Sequence, residues 1–369
     1  MPTARLMCAA SGHDADMLYA TRFYADDPFV WWETRGKTHI ALSPLEIDRA
    51  RPVARVTEIH AIGDFLPPKP KDSSPAAMIA GLVQKHGIRS FLVPEQFPSG
   101  LLEKLRSAGL KVAVSDKPFF PERVRKNREE IAALEAALRV AETGLRRGID
   151  VLKASRADQR GFLQWGKAPL TSERLRAEMD AAVLYAGGVP ANTIVAGGEQ
   201  GCDPHERGHG PLRANEAIVL DIFPRHARNH YFGDLTRTVV RGRASEALRH
   251  QYATVQEGKR WVMKLMSDGV DGNALQKELI ARFTTAGYPT EQRNGRWVGM
   301  FHGVGHGLGL DLHETPRFAA GKLFSGLSIT VEPGLYYPGV GGVRIEDVVI
   351  VGKKGVRNLT KFEEELEIG

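Results

Sequence analysis

Acidic residues interrupt apolar, strand-like sequence at four places in the second half of the chain. Asp221 lies in Ile218-Val219-Leu220-Asp221-Ile222-Phe223, and Asp234 in Tyr231-Phe232-Gly233-Asp234-Leu235-Thr236. Glu332 lies in Ser328-Ile329-Thr330-Val331-Glu332-Pro333, and Glu346 in Val343-Arg344-Ile345-Glu346-Asp347-Val348. A carboxylate in such surroundings is costly to bury alone, and a metal ion is one of the few adequate partners. The 13 residues from Asp221 to Asp234 are enough for a hairpin that brings the two together. The plainer alternative for that pair is a surface acid and a salt bridge to Arg237.

Histidines gather in the same region. The segment Phe301–Glu314 holds His302, His306 and His313 within 12 residues, with glycines between them. A lone histidine there would more often belong to a core, but glycine spacers let backbone pack closely and imidazoles converge. Gly305-x-Gly307-x-Gly309 also resembles a phosphate-cradling loop, although it lacks the full fingerprint and a following Lys-Ser/Thr. Four acids with one or more histidines form a ligand set for two divalent cations, whose charge nearly cancels that of the carboxylates. Carboxylate oxygens with a single imidazole favour Mn²⁺ first, with Co²⁺, Fe²⁺ or Zn²⁺ as alternatives. Two ions about 3.5–4 Å apart can share a hydroxide and clamp a developing oxyanion, which suits hydrolysis of an amide.

The elements that must position these residues read as α+β. Strand-like runs at 192–196, 216–223, 235–241, 328–337 and 343–351 carry or flank the acids, and helices are expected at 172–186, 245–266 and 272–286, the last with Asp271 as N-cap. Blocks of strands and helices, rather than strict βαβ alternation, suggest antiparallel pairing. Ile131, Leu134, Leu138, Ala141 and Leu145 form one apolar helix face that opens this part of the chain. Residues 1–120 differ in texture. Strands at 29–32, 38–42 and 90–93 alternate with helices at 75–86 and 99–108, the pattern of a smaller α/β domain. The division expected is therefore 1–120 and 121–369.

Composition narrows the classes. At 369 residues the chain can bury a sizeable core without staples. Its net charge of +6 is spread rather than clustered, so a nucleic-acid partner is not expected. Cys8 and Cys202 are far apart and suggest no disulfide framework, which fits a reducing compartment. No run approaches the ~18 apolar residues of a membrane span. The first residues show no apolar leader, so a cytoplasmic protein is expected.

The ordered set Asp221, Asp234, His306, Glu332 and Glu346 resembles the ligand signature of the pita-bread metallopeptidases, which include methionine aminopeptidase, prolidase, Xaa-Pro aminopeptidase and the metal-free creatinase. The likeness is specific over about 190–352 and loosest over 1–120. It implies a pita-bread catalytic domain with an antiparallel sheet, behind a creatinase-type N-terminal α/β domain. It also implies that Asp221 holds one ion, that Asp234 and Glu346 bridge both, and that His306 and Glu332 hold the other. Glu332 would also be the general base towards a metal-bridging hydroxide. By the same resemblance His313 steadies the scissile carbonyl, His302 is a further pocket histidine, and His205 contacts the substrate, with His209 as a competitor for that place. Arg344, two residues before the last acid, resembles the proline-directed branch and would hold a substrate carboxylate or an orienting acid. The implied activity is removal of the N-terminal residue from Xaa-Pro dipeptides or short peptides, in a homodimer. An aminopeptidase without proline preference, and a metal-free binding protein on the same fold, are the alternatives. Phe223 departs from the pattern by replacing a usual glycine. The loop between the two Asp residues is also longer than the common form, and the N-terminal domain shorter.

Overall fold

In the computed structural model, which describes residues 3–88 and 90–369, the first unit, Met1–Arg123, is built on a mixed sheet. Its strands are β1 (Thr3–Ala9), β2 (Phe29–Thr34), β3 (Lys37–Leu42), β4 (Glu58–Ala61), β5 (Ser90–Val93) and β6 (Lys111–Val114), in the order β4-β3-β2-β1-β5-β6. Adjacent residues of a strand face opposite sides. Trp31 and Trp32 therefore enter different cores: Trp32 packs with Phe65, Ile79, Leu82 and Phe91, and Trp31 with Met17, Phe23, Ile40 and Phe120. Helices stand at Pro75–His86 and Ser99–Ser107, as the sequence predicts. The unforeseen helix Ala15–Thr21 starts at a recognisable cap, the Asp14 carboxylate accepting from the Met17 N–H at 2.7 Å.

The second unit, Val124–Gly369, opens with the helix Arg128–Ala154, capped by a reciprocal Asn127–Glu130 pair. With Ser172–Tyr185 it covers a four-stranded sheet ordered Ile194–Gly197, Ile218–Ile222, Leu235–Arg241, Glu367–Ile368. Val140, Leu145 and Met179 meet Leu220, Ile222 and Leu235 in that core. A five-stranded sheet follows, ordered Glu314–Arg317, His306–Gly307, Ser328–Val331, Asp347–Val351, Val356–Asn358. Helices Glu246–Leu265 and Gly272–Thr285 share a second core with its apolar face, joining Val255, Val262 and Leu279 to Ile329, Val331 and Val349. Asp271 caps the latter helix by accepting from Asn273 and Ala274.

Two continuous strands expected from the sequence are each broken. The 328–337 run divides into Ser328–Val331 and Gly334–Tyr337, and the 343–351 run into Gly341–Arg344 and Asp347–Val351. Pro333 has no N–H for a ladder, and the Glu332 N–H bonds Val304 O at 2.8 Å. At the second break the Glu346 N–H bonds Thr236 O at 3.1 Å, crossing from one sheet to the other. Thr238 Oγ1 donates to Arg344 O at 3.0 Å and accepts from the Arg344 N–H at 2.9 Å. These crossings hold the two sheets together where the acids lie.

Arg237 does not pair with Asp234, the plainer alternative raised above. It is buried, and its Nη2 pairs with Asp347 Oδ1 at 2.9 Å while its Nη1 donates to Glu346 O at 2.6 Å. Lys259 Nζ takes the other Asp347 oxygen at 2.6 Å. Removing one member of such a group strands the others as uncompensated buried charges. Asp347→Ala is expected to lower unfolding free energy by about 3–5 kcal/mol, measured by denaturant titration. A loss of under 1 kcal/mol would show that the group is not energetically buried.

Candidate metal centre

The two sheets bring the five residues to one cavity. Asp221 lies in its strand opposite Thr236, and Asp234 immediately precedes the strand that carries Thr236. His306 belongs to the second sheet, and Glu332 and Glu346 occupy the two strand breaks. The cavity, about 670 Å³, is lined by Asp221, Asp234, His306, Glu332 and Glu346, and also by His205, His302, His313, Arg317, Arg344 and Phe223. His209 is not among the lining residues. It is exposed and lies 3.7 Å from Glu206.

Ligand-type atoms of Asp234, His306 and Glu346 lie within 4.8 Å of one another. His306 Nδ1 is 3.1 Å from Gly307 O. An N–H there leaves the lone pair on Nε2, which faces Glu332 Oε1 at 3.3 Å and Asp234 Oδ2 at 3.6 Å. The His313 ring sits edge-on to His306, centroids 4.3 Å apart. Threonines fix two of the carboxylates. Thr236 Oγ1 donates to Glu346 Oε2 at 2.7 Å, and Thr330 Oγ1 donates to Glu332 Oε1 at 3.1 Å.

Arg344, 3% exposed, is committed inside the site. Its Nη2 donates to Asp221 Oδ2 at 2.7 Å and its Nη1 to the Tyr336 hydroxyl at 3.1 Å. The Tyr336 hydroxyl is 2.8 Å from His302 Nε2, and His302 Nδ1 is 2.8 Å from Gly303 O. With Nδ1–H donating to that carbonyl, His302 Nε2 accepts from Tyr336. A continuous chain thus runs from Asp221 through Arg344 and Tyr336 to His302.

Charge is the outstanding feature. Burial, then Glu346, Asp221 and Glu332, raises the Asp234 pKa well above the usual carboxylate range. Burial, then Glu332 and Asp221, does the same to Glu346. Glu332 is pushed up to about 7, chiefly by burial, with the Arg344 charge opposing the shift. Burial also drives the His306 imidazole down to about 4, so it is a neutral donor. Among the described residues, the buried Asp221 Oδ1 has no hydrogen-bond partner. An orphaned carboxylate oxygen beside crowded acids and a neutral imidazole is what a divalent-cation site presents. The residues fit such ions.

Glycine spacing serves packing rather than phosphate binding. A Cβ on Gly305 would lie 2.0 Å from Thr330 O, and one on Gly309 about 2.5 Å from the Glu314 carboxylate. Glu314 accepts from the Leu310 N–H at 2.9 Å and meets buried Lys126 at 2.5 Å, bracing the turn that carries His313.

Comparison with known proteins decides the family. The sequence model of metallopeptidase family M24 matches residues 132–353. The chain belongs to metallopeptidase family M24. The Xaa-Pro dipeptidase of Pyrococcus horikoshii is 29% identical over 288 residues, spanning 76% of this chain and 75% of that protein. The prolidase structure from P. horikoshii aligns with a TM-score of 0.81 at 23% identity, covering 99% of this chain and 95% of the other. The X-Pro aminopeptidase of Thermotoga maritima aligns with a TM-score of 0.84 at 21% identity, covering 99% and 97%. At those identities the structural likeness shows the fold, the α+β pita-bread fold expected from the sequence. Membership makes the chain a metallopeptidase and implies divalent metal ions.

Several residues of this M24 peptidase's site escaped the sequence reading. Thr236 lies two positions after Asp234 and Thr330 two positions before Glu332, and that spacing was a usable signal. Tyr336 and Arg317 had none as strong. Arg317 reaches the cavity because its strand pairs it with His306.

Chelation is expected to lower the melting temperature of the M24 peptidase by several degrees, reversibly on adding Mn²⁺, since a ligand of the folded state stabilises it by mass action. Differential scanning calorimetry with and without chelator measures this. An unchanged midpoint would mean that the acids are held without ions.

Proposed function

We propose that this M24 peptidase hydrolyses the Xaa-Pro bond of dipeptides, with Asp221, Asp234, His306, Glu332 and Glu346 holding two divalent ions, Mn²⁺ by preference. The observation that carries the reading is the convergence of those five side chains on one cavity, where Asp221 Oδ1 is left without a hydrogen-bond partner among the described residues. The proline preference rests on the relatives named Xaa-Pro dipeptidase. The same reading takes residues 1–120 as a creatinase-type domain and 121–369 as the catalytic domain. It also includes a homodimer in the cytoplasm, by family resemblance.

When bound, the ions supply Lewis acidity that lowers the pKa of water and polarises the scissile carbonyl. The chain's own groups do the rest. Glu332, at the cavity wall, accepts a proton as water oxygen attacks the carbonyl carbon, and its Thr330 hydrogen bond keeps Oε1 oriented. His313 donates a hydrogen bond to the oxygen that gains charge. The C–N bond then breaks and the proton passes to the leaving proline nitrogen, which His205 steadies. Arg344 is occupied by Asp221 and Tyr336 and acts as a positioning residue for the cage.

That commitment leaves Arg317 to meet a substrate carboxylate. It lines the cavity, it is exposed, and its side chain has no hydrogen bond or ion pair among the described residues. A free guanidinium suits the C-terminal carboxylate of a dipeptide and favours dipeptides over longer peptides.

Two outcomes test this. Glu332→Gln should reduce kcat about 10²–10⁴-fold while metal analysis still finds bound ions; near wild-type kcat would reject Glu332 as the base. Arg317→Ala should raise KM for Ala-Pro about tenfold or more, the worth of a hydrogen bond to a charged group, and leave Ala-Pro amide unchanged. Equal effects on both substrates would reject the carboxylate role. Failure on Ala-Pro and Ala-Pro-Ala with turnover of Met-Ala-Ser would instead favour an aminopeptidase without proline preference.

A further inference from the structure

The N-terminal unit holds a second cluster of ligand-type side chains. β3 pairs in parallel with the edge strand β4, setting His39 opposite Glu58 and Ala41 opposite His60. Glu58 and His60 are two apart and therefore share a face. Trp32, opposite His39 on β2, lies on the same face. Its indole stacks on the His39 ring at 4.9 Å and 9° and on the His60 ring at 5.3 Å and 25°. Phe65 packs edge-on against His60 at 5.3 Å. Both imidazoles are thus held in fixed planes before any ligand arrives.

Three ligand atoms meet at one point. His39 Nδ1 is 3.3 Å from His60 Nε2, His39 Nδ1 is 3.6 Å from Glu58 Oε2, and His60 Nε2 is 3.7 Å from Glu58 Oε2. Lys37 Nζ takes the other carboxylate oxygen, Oε1, at 3.3 Å. Ligand atoms about 2.1 Å from a tetrahedral ion are separated by about 3.4 Å. The observed triangle has that size, whereas a direct ring–ring hydrogen bond of 3.3 Å is long. Burial lowers the pKa of both histidines, so each presents a lone pair at neutral pH. The His39 side chain is buried and that of Glu58 is 42% exposed, which gives an ion an entry path.

We propose that His39 Nδ1, His60 Nε2 and Glu58 Oε2 form a separate site for one divalent transition-metal ion of the zinc class, with its fourth position open to water. Two imidazoles and one carboxylate are softer than the carboxylate-rich centre of the catalytic unit, so this site selects Zn²⁺ or Co²⁺ over Mn²⁺. The ion ties edge strand β4 to β3.

The test uses the full chain, equilibrated with Zn²⁺, desalted, and analysed for metal per chain. Glu58→Ala and His60→Phe are compared with wild type; the first removes an exposed side chain and the second keeps an aromatic ring over Trp32. Wild type should hold one more equivalent of Zn²⁺ than either variant, with Ala-Pro hydrolysis unchanged in all three. Hydrogen exchange across residues 58–61 should slow on adding Zn²⁺ in wild type only. Equal metal content in wild type and folded variants, or identical exchange with and without Zn²⁺, would overturn the site and leave a hydrogen-bonded histidine pair.

Discussion

Mutual repulsion among buried carboxylates is the constraint on which the catalytic unit depends. Like charges about 4 Å apart cost about 4 kcal/mol per pair at an effective dielectric near 20. A whole domain is stable by only about 5–15 kcal/mol. Asp221, Asp234, Glu332 and Glu346 crowd one cavity, and the upward pKa shifts of Asp234, Glu332 and Glu346 register that conflict. Cations remove it. Metal binding and the integrity of the region between the two sheets are therefore one problem, since two of the acids, Glu332 and Glu346, sit where the chain crosses from sheet to sheet.

The crossings explain why the acids stand where they do. A regular strand would point Glu332 and its neighbours alternately to either face and satisfy each N–H in the ladder. At Glu332-Pro333 and Ile345-Glu346 the ladder stops, and the freed N–H groups of Glu332 and Glu346 bond Val304 O and Thr236 O instead. Each break turns a carboxylate into the cavity without leaving its backbone unpaired. Arg237 then holds Glu346 from behind through its carbonyl, and Arg344 holds Asp221 through its side chain. The positive charges are placed around the cage, on backbone oxygens and on one outer carboxylate oxygen. The inward oxygens are left for ions.

Much of this could be read in the sequence, for identifiable reasons. Helices with a clear apolar period, such as the one bearing Leu134, Leu138 and Leu145, declare themselves because one face must be buried. The acids at 221, 234, 332 and 346 stand out because their apolar neighbours make solvent exposure improbable. The strand breaks were not visible, because Val331 and Leu335, or Val343 and Val348, look alike whether the run continues or changes sheet. Only Pro333 hinted at one of them. Tyr336 was hidden for a similar reason, since a tyrosine in an apolar run reads as core. Its function depends on Arg344 and His302, which are distant in sequence from it or set in a different element. Asp347 is given no role by its sequence context. It adjoins Glu346, yet it faces the other way and serves Arg237 and Lys259 rather than the cage.

The two cavity arginines show how the same side chain divides between architecture and recognition. Arg344 is buried and has its donors taken by Asp221, Tyr336 and the Pro204 carbonyl. Pulling it towards a substrate would strand Asp221 Oδ2 and break the link to His302. Arg317 stands on an exposed strand end, opposite His306, with its charge acting on the cavity and no partner among the described residues to lose. A guanidinium can recognise a carboxylate economically only if binding does not first break a better pair. On the proposed function, selectivity therefore lies outside the five cage residues, in Arg317 and in Phe223, which also lines the cavity.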